Sequence, residues 1–80
     1  MLNLTFLPEA LEDYLYWQMQ DKKTLKRINV LIKDIMRDCY DGIGKPEPLR
    51  GNLSGWCSRR IDESNRIVYK IEENMLLIYE

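Results

Sequence analysis

Glu47 stands between Pro46 and Pro48, and residues 45–61 contain no other acid. Lys45, Arg50, Arg59, Arg60 and, slightly further on, Arg66 surround it in the sequence. A carboxylate fixed among cations suits phosphodiester chemistry. RNA is cut without a metal when a base takes the proton of the 2′-hydroxyl, cations hold the charge on a pentacoordinate phosphorus, and an acid protonates the departing 5′-oxygen. Glu47 is the candidate base, and the flanking prolines restrict the backbone that carries it, so little entropy is lost in holding it still. Arg66 and Arg60, on adjacent strands, are candidates to present guanidinium forks to phosphate oxygens. Trp56 and Tyr69 could stack bases, the usual way of holding single-stranded RNA.

Each of these residues also has a plainer use. Glu47 could be a surface acid paired with Lys45 or Arg50. Arg59 and Arg60 are consecutive, so on a strand they point to opposite faces and only one can join Arg66 in a site. Trp56, next to Gly55, could cap the core, and Tyr69 could be a core residue with its hydroxyl at the edge. Tyr14, Tyr16 and Trp17 read as packing between helices and sheet rather than as a stacking platform.

The charge distribution favours the same stretch. The net charge is −1, yet residues 45–70 hold six basic side chains (Lys45, Arg50, Arg59, Arg60, Arg66, Lys70) against three acidic ones (Glu47, Asp62, Glu63). Residues 1–44 are close to balanced, with six basic and seven acidic. A polyanion would be attracted locally although the whole chain is slightly acidic; a solvated basic face has the same composition.

Positioning these residues requires a strand-rich second half. Leu2-Asn3-Leu4-Thr5-Phe6 alternates apolar and polar side chains and predicts a short strand. Pro8 fits a first helical turn, Glu9, Glu12 and Asp13 suit the positive end of a helix dipole, and Leu11, Tyr14, Leu15 and Met19 offer an apolar face to a helix over 8–20. Asp21 is placed to cap a second helix, whose stripe is Leu25, Ile28, Ile32 and Ile35, with Lys22, Lys26, Lys33 and Arg37 outside it. Residues 38–44 form a loop broken by Gly42 and Gly44, and the prolines disfavour helix around Glu47. Cys57–Ile61, Arg66–Ile71 and Met75–Tyr79 read as three strands joined by turns at 62–65 and 72–74. The expected class is α+β: an N-terminal strand and a helical hairpin packed on one face of an antiparallel sheet of about four strands.

Composition removes several function classes. Eighty residues make one small domain spanning 1–80, whose thin core would gain from a partner or a second copy. Two cysteines, Cys39 and Cys57, and no histidine exclude a four-ligand zinc site, Cys-His catalysis and histidine-ligated haem, and no cofactor is expected. No apolar run approaches a membrane span and no signal segment opens the chain, so a cytoplasmic protein with free thiols is expected.

Taken together, Glu12-Asp13-Tyr14-Leu15-Tyr16-Trp17-Gln18, Asp21-Lys22-Lys23, Arg27-Ile28-Asn29, Leu31-Ile32-Lys33-Asp34, Gly44-Lys45-Pro46-Glu47-Pro48-Leu49, Leu53-Ser54-Gly55, Ser58-Arg59-Arg60-Ile61 and Arg66-Ile67-Val68-Tyr69 strongly resemble the YoeB/Txe toxins of the RelE superfamily, from residue 2 to about 78. The resemblance implies a toxin of a toxin–antitoxin module that enters the ribosomal A site and cleaves the mRNA there, leaving a cyclic phosphate and a 5′-hydroxyl. Its partners would be a cognate antitoxin, the ribosome with its A-site mRNA, and, as in some members, a second copy. By position, Glu47 matches the family's general base and Arg66 its phosphate-stabilising arginine, while Lys45 and Arg60 lie in the RNA-facing basic surface; Arg50, Arg59 and Trp56 complete the expected RNA contacts. Family members close on a His-Tyr pair that supplies the general acid. This sequence ends at Glu80, and its position before Arg66, often His in the family, is Asn65. The expectation is binding with attenuated cleavage, the alternative a catalytically silent module that docks antitoxin or ribosome.

Overall fold

The computed structural model describes residues 2–79. Strand β1 (Asn3–Phe6) leads through Leu7 into helix α1 (Pro8–Gln20), and Asp21 alone separates it from helix α2 (Lys22–Arg37). That single residue serves both helices. Its extended backbone (φ −153°) ends α1, with its N–H donated to Trp17 O, while its carboxylate accepts from the N–H groups of Lys23 and Thr24 at 3.0 and 3.4 Å. The Thr24 hydroxyl donates to the same carboxylate and, with these N–H groups, lowers its pKa. An aspartate satisfies orphan amide donors where apolar residues cannot, which is why the hairpin turns here.

The remaining elements are β2 (Glu47–Pro48), a single 3₁₀ turn (Gly51–Leu53), β3 (Cys57–Arg60), β4 (Arg66–Glu72) and β5 (Met75–Ile78), with sheet order β1-β5-β4-β3-β2. The meander β3-β4-β5 is antiparallel as expected. The sheet is larger than the expected four strands, for two reasons. β1 adds in parallel to β5, with Leu4 beside Leu76 and Phe6 beside Ile78. The Pro-Glu-Pro segment is itself an edge strand, pairing Glu47 with Ser58 and Pro48 with Cys57. An edge is the one place where a proline's missing donor leaves no gap in a ladder.

Both helices cover one face of the sheet. Ile28, Leu31, Ile32 and Ile35 of α2 pack with Ala10, Ile67, Tyr69, Leu76 and Ile78. Leu31 is fully buried and replaces Leu25, only partly buried, in the expected stripe. On α1 the expected apolar face is corrected. Ala10, Tyr14 and Trp17 turn inward, with the Tyr14 ring 5.2 Å from that of Phe6, whereas Leu11, Leu15, Tyr16 and Met19 are exposed. Residues 10, 14, 17 and residues 11, 15, 19 are both valid helical stripes; the aromatic pair wins because it meets β1. Cys39 and Cys57 are free thiols, and no helix of the described residues is long and apolar enough to cross a membrane.

Candidate functional site

Strand pairing assembles the site from three segments. Glu47 sits opposite Ser58, Ser58 opposite Val68, and Arg60 opposite Arg66. Because side chains alternate along a strand, Glu47, Ser58, Arg60, Arg66 and Val68 share one face, and Cys57, Arg59, Ile67 and Tyr69 share the other, under the helices. On the first face Arg66 Nη1 donates to Glu47 Oε2 at 3.1 Å and to Ser58 Oγ at 3.3 Å. The Glu47 and Arg66 side chains remain 61% and 42% exposed. An ion pair this exposed contributes at most about 1 kcal/mol, so a phosphate could take Arg66 from Glu47 at little cost.

The opposite face explains how Glu47 is held. Arg59 is 0% exposed, and it fills its donor fork with protein. Nη1 pairs with Asp34 Oδ2 and donates to Ile43 O at 3.2 Å; Nη2 donates to the carbonyls of Asp38 and Asp41 at 2.5 and 3.3 Å; Nε donates to Tyr69 Oη at 3.3 Å. Tyr69, also 0% exposed, donates a hydrogen bond from its own hydroxyl to Cys39 O at 2.6 Å, and burial pushes its phenol pKa up. Arg59 therefore ties the end of α2 to the loop 38–44 that leads into Glu47. This corrects two expectations: Arg59 and Tyr69 are withdrawn from any RNA-facing surface, because their polar atoms are consumed inside the protein.

Beyond that tie the chain makes a tight passage. Gly44 (φ +80°) accepts the Arg60 N–H at 2.6 Å, and Lys45 follows with φ +50°, a left-handed conformation that a lysine adopts only under constraint. A Cβ at residue 44 would lie 2.8 Å from Leu31 Cδ2 and 3.1 Å from Arg60 O. Gly44→Ala is thus expected to destabilise the protein by more than about 1 kcal/mol, through both the positive φ and the clash, visible as a lower urea midpoint. Lys45 itself is exposed, as are Arg50 and Arg60, while Trp56 is half-buried.

Asp34 also gives a pH dependence. The Arg59 guanidinium, the Ile43 N–H at 3.0 Å and Arg37 bring its pKa down to about 2. A carboxylate whose pKa is lowered by folding contributes stability that is present above its unfolded value and lost as pH falls through the folded one. Stability should therefore drop between about pH 4 and pH 2, and Asp34→Asn, already weaker at neutral pH, should show a smaller drop across that window. Urea midpoints at stepped pH check this; equal slopes for the two proteins would refute it.

Ser58, Asp34 and the loop carbonyls were not foreseen. Asp34 carried a faint signal, lying on the amphipathic helix beside the buried Ile35. Among the described residues no group of His, Cys, Asp and Glu is placed to hold a metal ion.

The geometry coincides with a known family. Residues 6–80 match the model of the YoeB-like toxin of bacterial type II toxin–antitoxin systems. This chain belongs to that family. The YoeB toxin of Streptomyces coelicolor is 51% identical over 79 residues, covering 99% of this chain and 94% of the relative. That of Synechocystis is 56% identical over 77 residues, covering 96% and 90%. Among solved structures, YoeB in a heterotetrameric YoeB–YefM toxin–antitoxin complex from Staphylococcus aureus superposes with TM-score 0.92 at 49% identity, covering all of this chain and 93% of that one. A YoeB dimer from the same organism does so with TM-score 0.92 at 50% identity, covering 99% and 92%. Escherichia coli YafQ, 13% identical with TM-score 0.81 over all of this chain and 90% of its own, shares the fold. This YoeB-family toxin thus has the α+β architecture of its relatives, and its Glu47–Arg66 pair lies on the sheet face that the helices leave open.

Proposed function

We propose that this toxin is a ribosome-dependent mRNA endoribonuclease, with Glu47 as general base and Arg66 as phosphate clamp. The observation that carries the proposal is the exposed Glu47–Arg66 pair, braced by the buried Ser58 Oγ, on the sheet face opposite the helices. In this reading the scissile phosphate draws Arg66 away from Glu47, and the freed carboxylate takes the 2′-hydroxyl proton. The 2′-oxygen then attacks phosphorus to give a cyclic phosphate, and the 5′-oxygen leaves with a proton from a group other than these two. Arg60, directly across from Arg66, and the exposed Lys45 and Arg50 hold the flanking backbone. A cognate antitoxin would neutralise the toxin by covering this face, and a second copy is the other expected partner, as the relatives' complexes with YefM and their dimer suggest.

The direct test maps 5′ ends on translated mRNA after induction. New ends within A-site codons are expected; growth arrest without them would overturn the proposal. Ribosome binding should weaken as salt is raised, since the contacts are largely to phosphate.

A further inference from the structure

Residues 1–44 are nearly balanced in charge by composition, yet the fold separates the two signs. All six basic side chains of the stretch, Lys22, Lys23, Lys26, Arg27, Lys33 and Arg37, lie on α2. Of its seven acids only Asp34 lies within that helix; Asp21 caps it, and the others belong to α1 and to the loop after α2. We infer that the outer face of α2 is a docking ridge for the phosphate backbone of double-helical ribosomal RNA, distinct from the mRNA site. The inference rests on the ribosome-dependent reading of Glu47 and Arg66 and names a second RNA surface that goes with it.

The helix is strongly one-sided. With about 100° between successive residues, Lys22, Lys26, Lys33 and Arg37 fall within a sector of about 60° and span about 22 Å of axis. Ile28, Leu31, Ile32 and Ile35 occupy the opposite side and pack onto the sheet. The ridge therefore points away from the sheet, whose far face carries Glu47 and Arg66. All four ridge side chains are exposed, and the three lysines make no ion pair among the described residues. Arg37 reaches Asp34 Oδ1 through Nε and Nη2 at 3.1 and 3.0 Å but keeps 63% of its side chain exposed. The two acids at this helix are already committed, Asp21 to the N–H groups of Lys23 and Thr24, Asp34 to Arg59 and the Ile43 N–H. Neither pairs with the ridge lysines.

The make-up of the ridge selects its occupant. The uncharged residues exposed beside it are Asn29 and Val30. It has no aromatic ring on which a single strand could stack its bases. Nor does it have the apolar half that sinks an amphipathic helix into a lipid surface, since those residues are used on the sheet. What remains is a straight row of cations that responds to charge and spacing, not to base sequence. The axial steps Lys22–Lys26, Lys26–Lys33 and Lys33–Arg37 are about 6, 10 and 6 Å, close to one, two and one phosphate spacings along an RNA strand. A rigid row of phosphates is what a double helix offers, and neutralising it releases counterions. The molecule measures 31 × 25 × 23 Å, so RNA at the ridge is a different segment from the strand at Glu47. A toxin held between two RNA surfaces needs the ribosome, because free mRNA supplies only one.

The test measures affinity for mRNA-free ribosomes at stepped salt, with mRNA cleavage on programmed ribosomes followed alongside. Lys26→Gln combined with Lys33→Gln should weaken binding and make the slope of log affinity against log salt shallower by about 2, one for each phosphate contact removed. Lys26→Arg with Lys33→Arg should restore both, since the charge is kept. Gln18→Glu with Met19→Glu, at exposed positions on α1, changes the net charge by the same amount off the ridge and should leave the slope as it is. These are surface changes, and equal urea midpoints check that the fold is kept. A native slope in the Lys→Gln double variant, with the native toxin still cutting mRNA, would overturn the ridge alone. A native toxin that binds ribosomes but cuts no mRNA would overturn the cleavage reading, while the slope still decides the ridge. No binding to ribosomes at any salt would overturn both. If the Lys→Gln double variant binds ribosomes as the native chain does but loses affinity for a cognate antitoxin or for phosphatidylglycerol vesicles, the ridge serves protein or lipid and the inference is wrong.

Discussion

Glu47→Gln should reduce mRNA cleavage about 10²–10⁴-fold while leaving the fold and ribosome binding essentially intact. The amide keeps the shape of the side chain and can still receive the Arg66 hydrogen bond, but it does not take up a proton at neutral pH. Stability should scarcely change, because the Glu47–Arg66 pair is exposed and contributes at most about 1 kcal/mol. Three measurements on the same variant separate the roles: single-turnover cleavage on programmed ribosomes, ribosome affinity, and urea midpoint. Arg66→Met gives the contrast. It removes a cation that meets the phosphate in both ground and transition states, so it should reduce affinity as well as rate. If Glu47→Gln cuts at the native rate, the carboxylate is not the base, and the pair is a surface ion pair.

How far the sequence revealed this arrangement depends on which physical signal each residue carried. The second helix was legible because an apolar stripe with lysines outside it has few other uses, and Asp21 because capping is a local interaction. Glu47 was legible because two prolines and a lone acid among cations form an unusual local pattern. The inward face of α1 was not: two stripes satisfied the same period, and the choice was made by contact with Phe6, which is a tertiary event. β2 was missed because a strand of two residues has no periodicity to detect; only pairing with Cys57 and Ser58 defines it. Alternation required that one of Arg59 and Arg60 turn away from Arg66. Which one does so was decided by Asp34, Tyr69 and three loop carbonyls, contributed from separate parts of the chain.

That buried arginine yields the largest expected loss of stability. Arg59→Met should destabilise the protein by about 3–5 kcal/mol, because it leaves the Asp34 carboxylate and the loop carbonyls without their donors. Total stability for a domain this size is about 5–15 kcal/mol, so the variant should approach the limit of folding, with a melting temperature lower by about 4–8 °C for each kcal/mol. Arg59→Lys should rescue little: one ammonium group cannot serve Asp34, Tyr69 and carbonyls at residues 38, 41 and 43 at once. Arg60→Met, one position away on the exposed face, should change stability by less than about 0.5 kcal/mol while weakening ribosome binding. Paired urea titrations with unchanged slope decide the matter. The contrast between adjacent arginines is what the alternation of a strand demands: one side chain secures the loop that carries Glu47, and its neighbour is left exposed on the other face. Equal stability losses for the two would show that Arg59 does not anchor that loop.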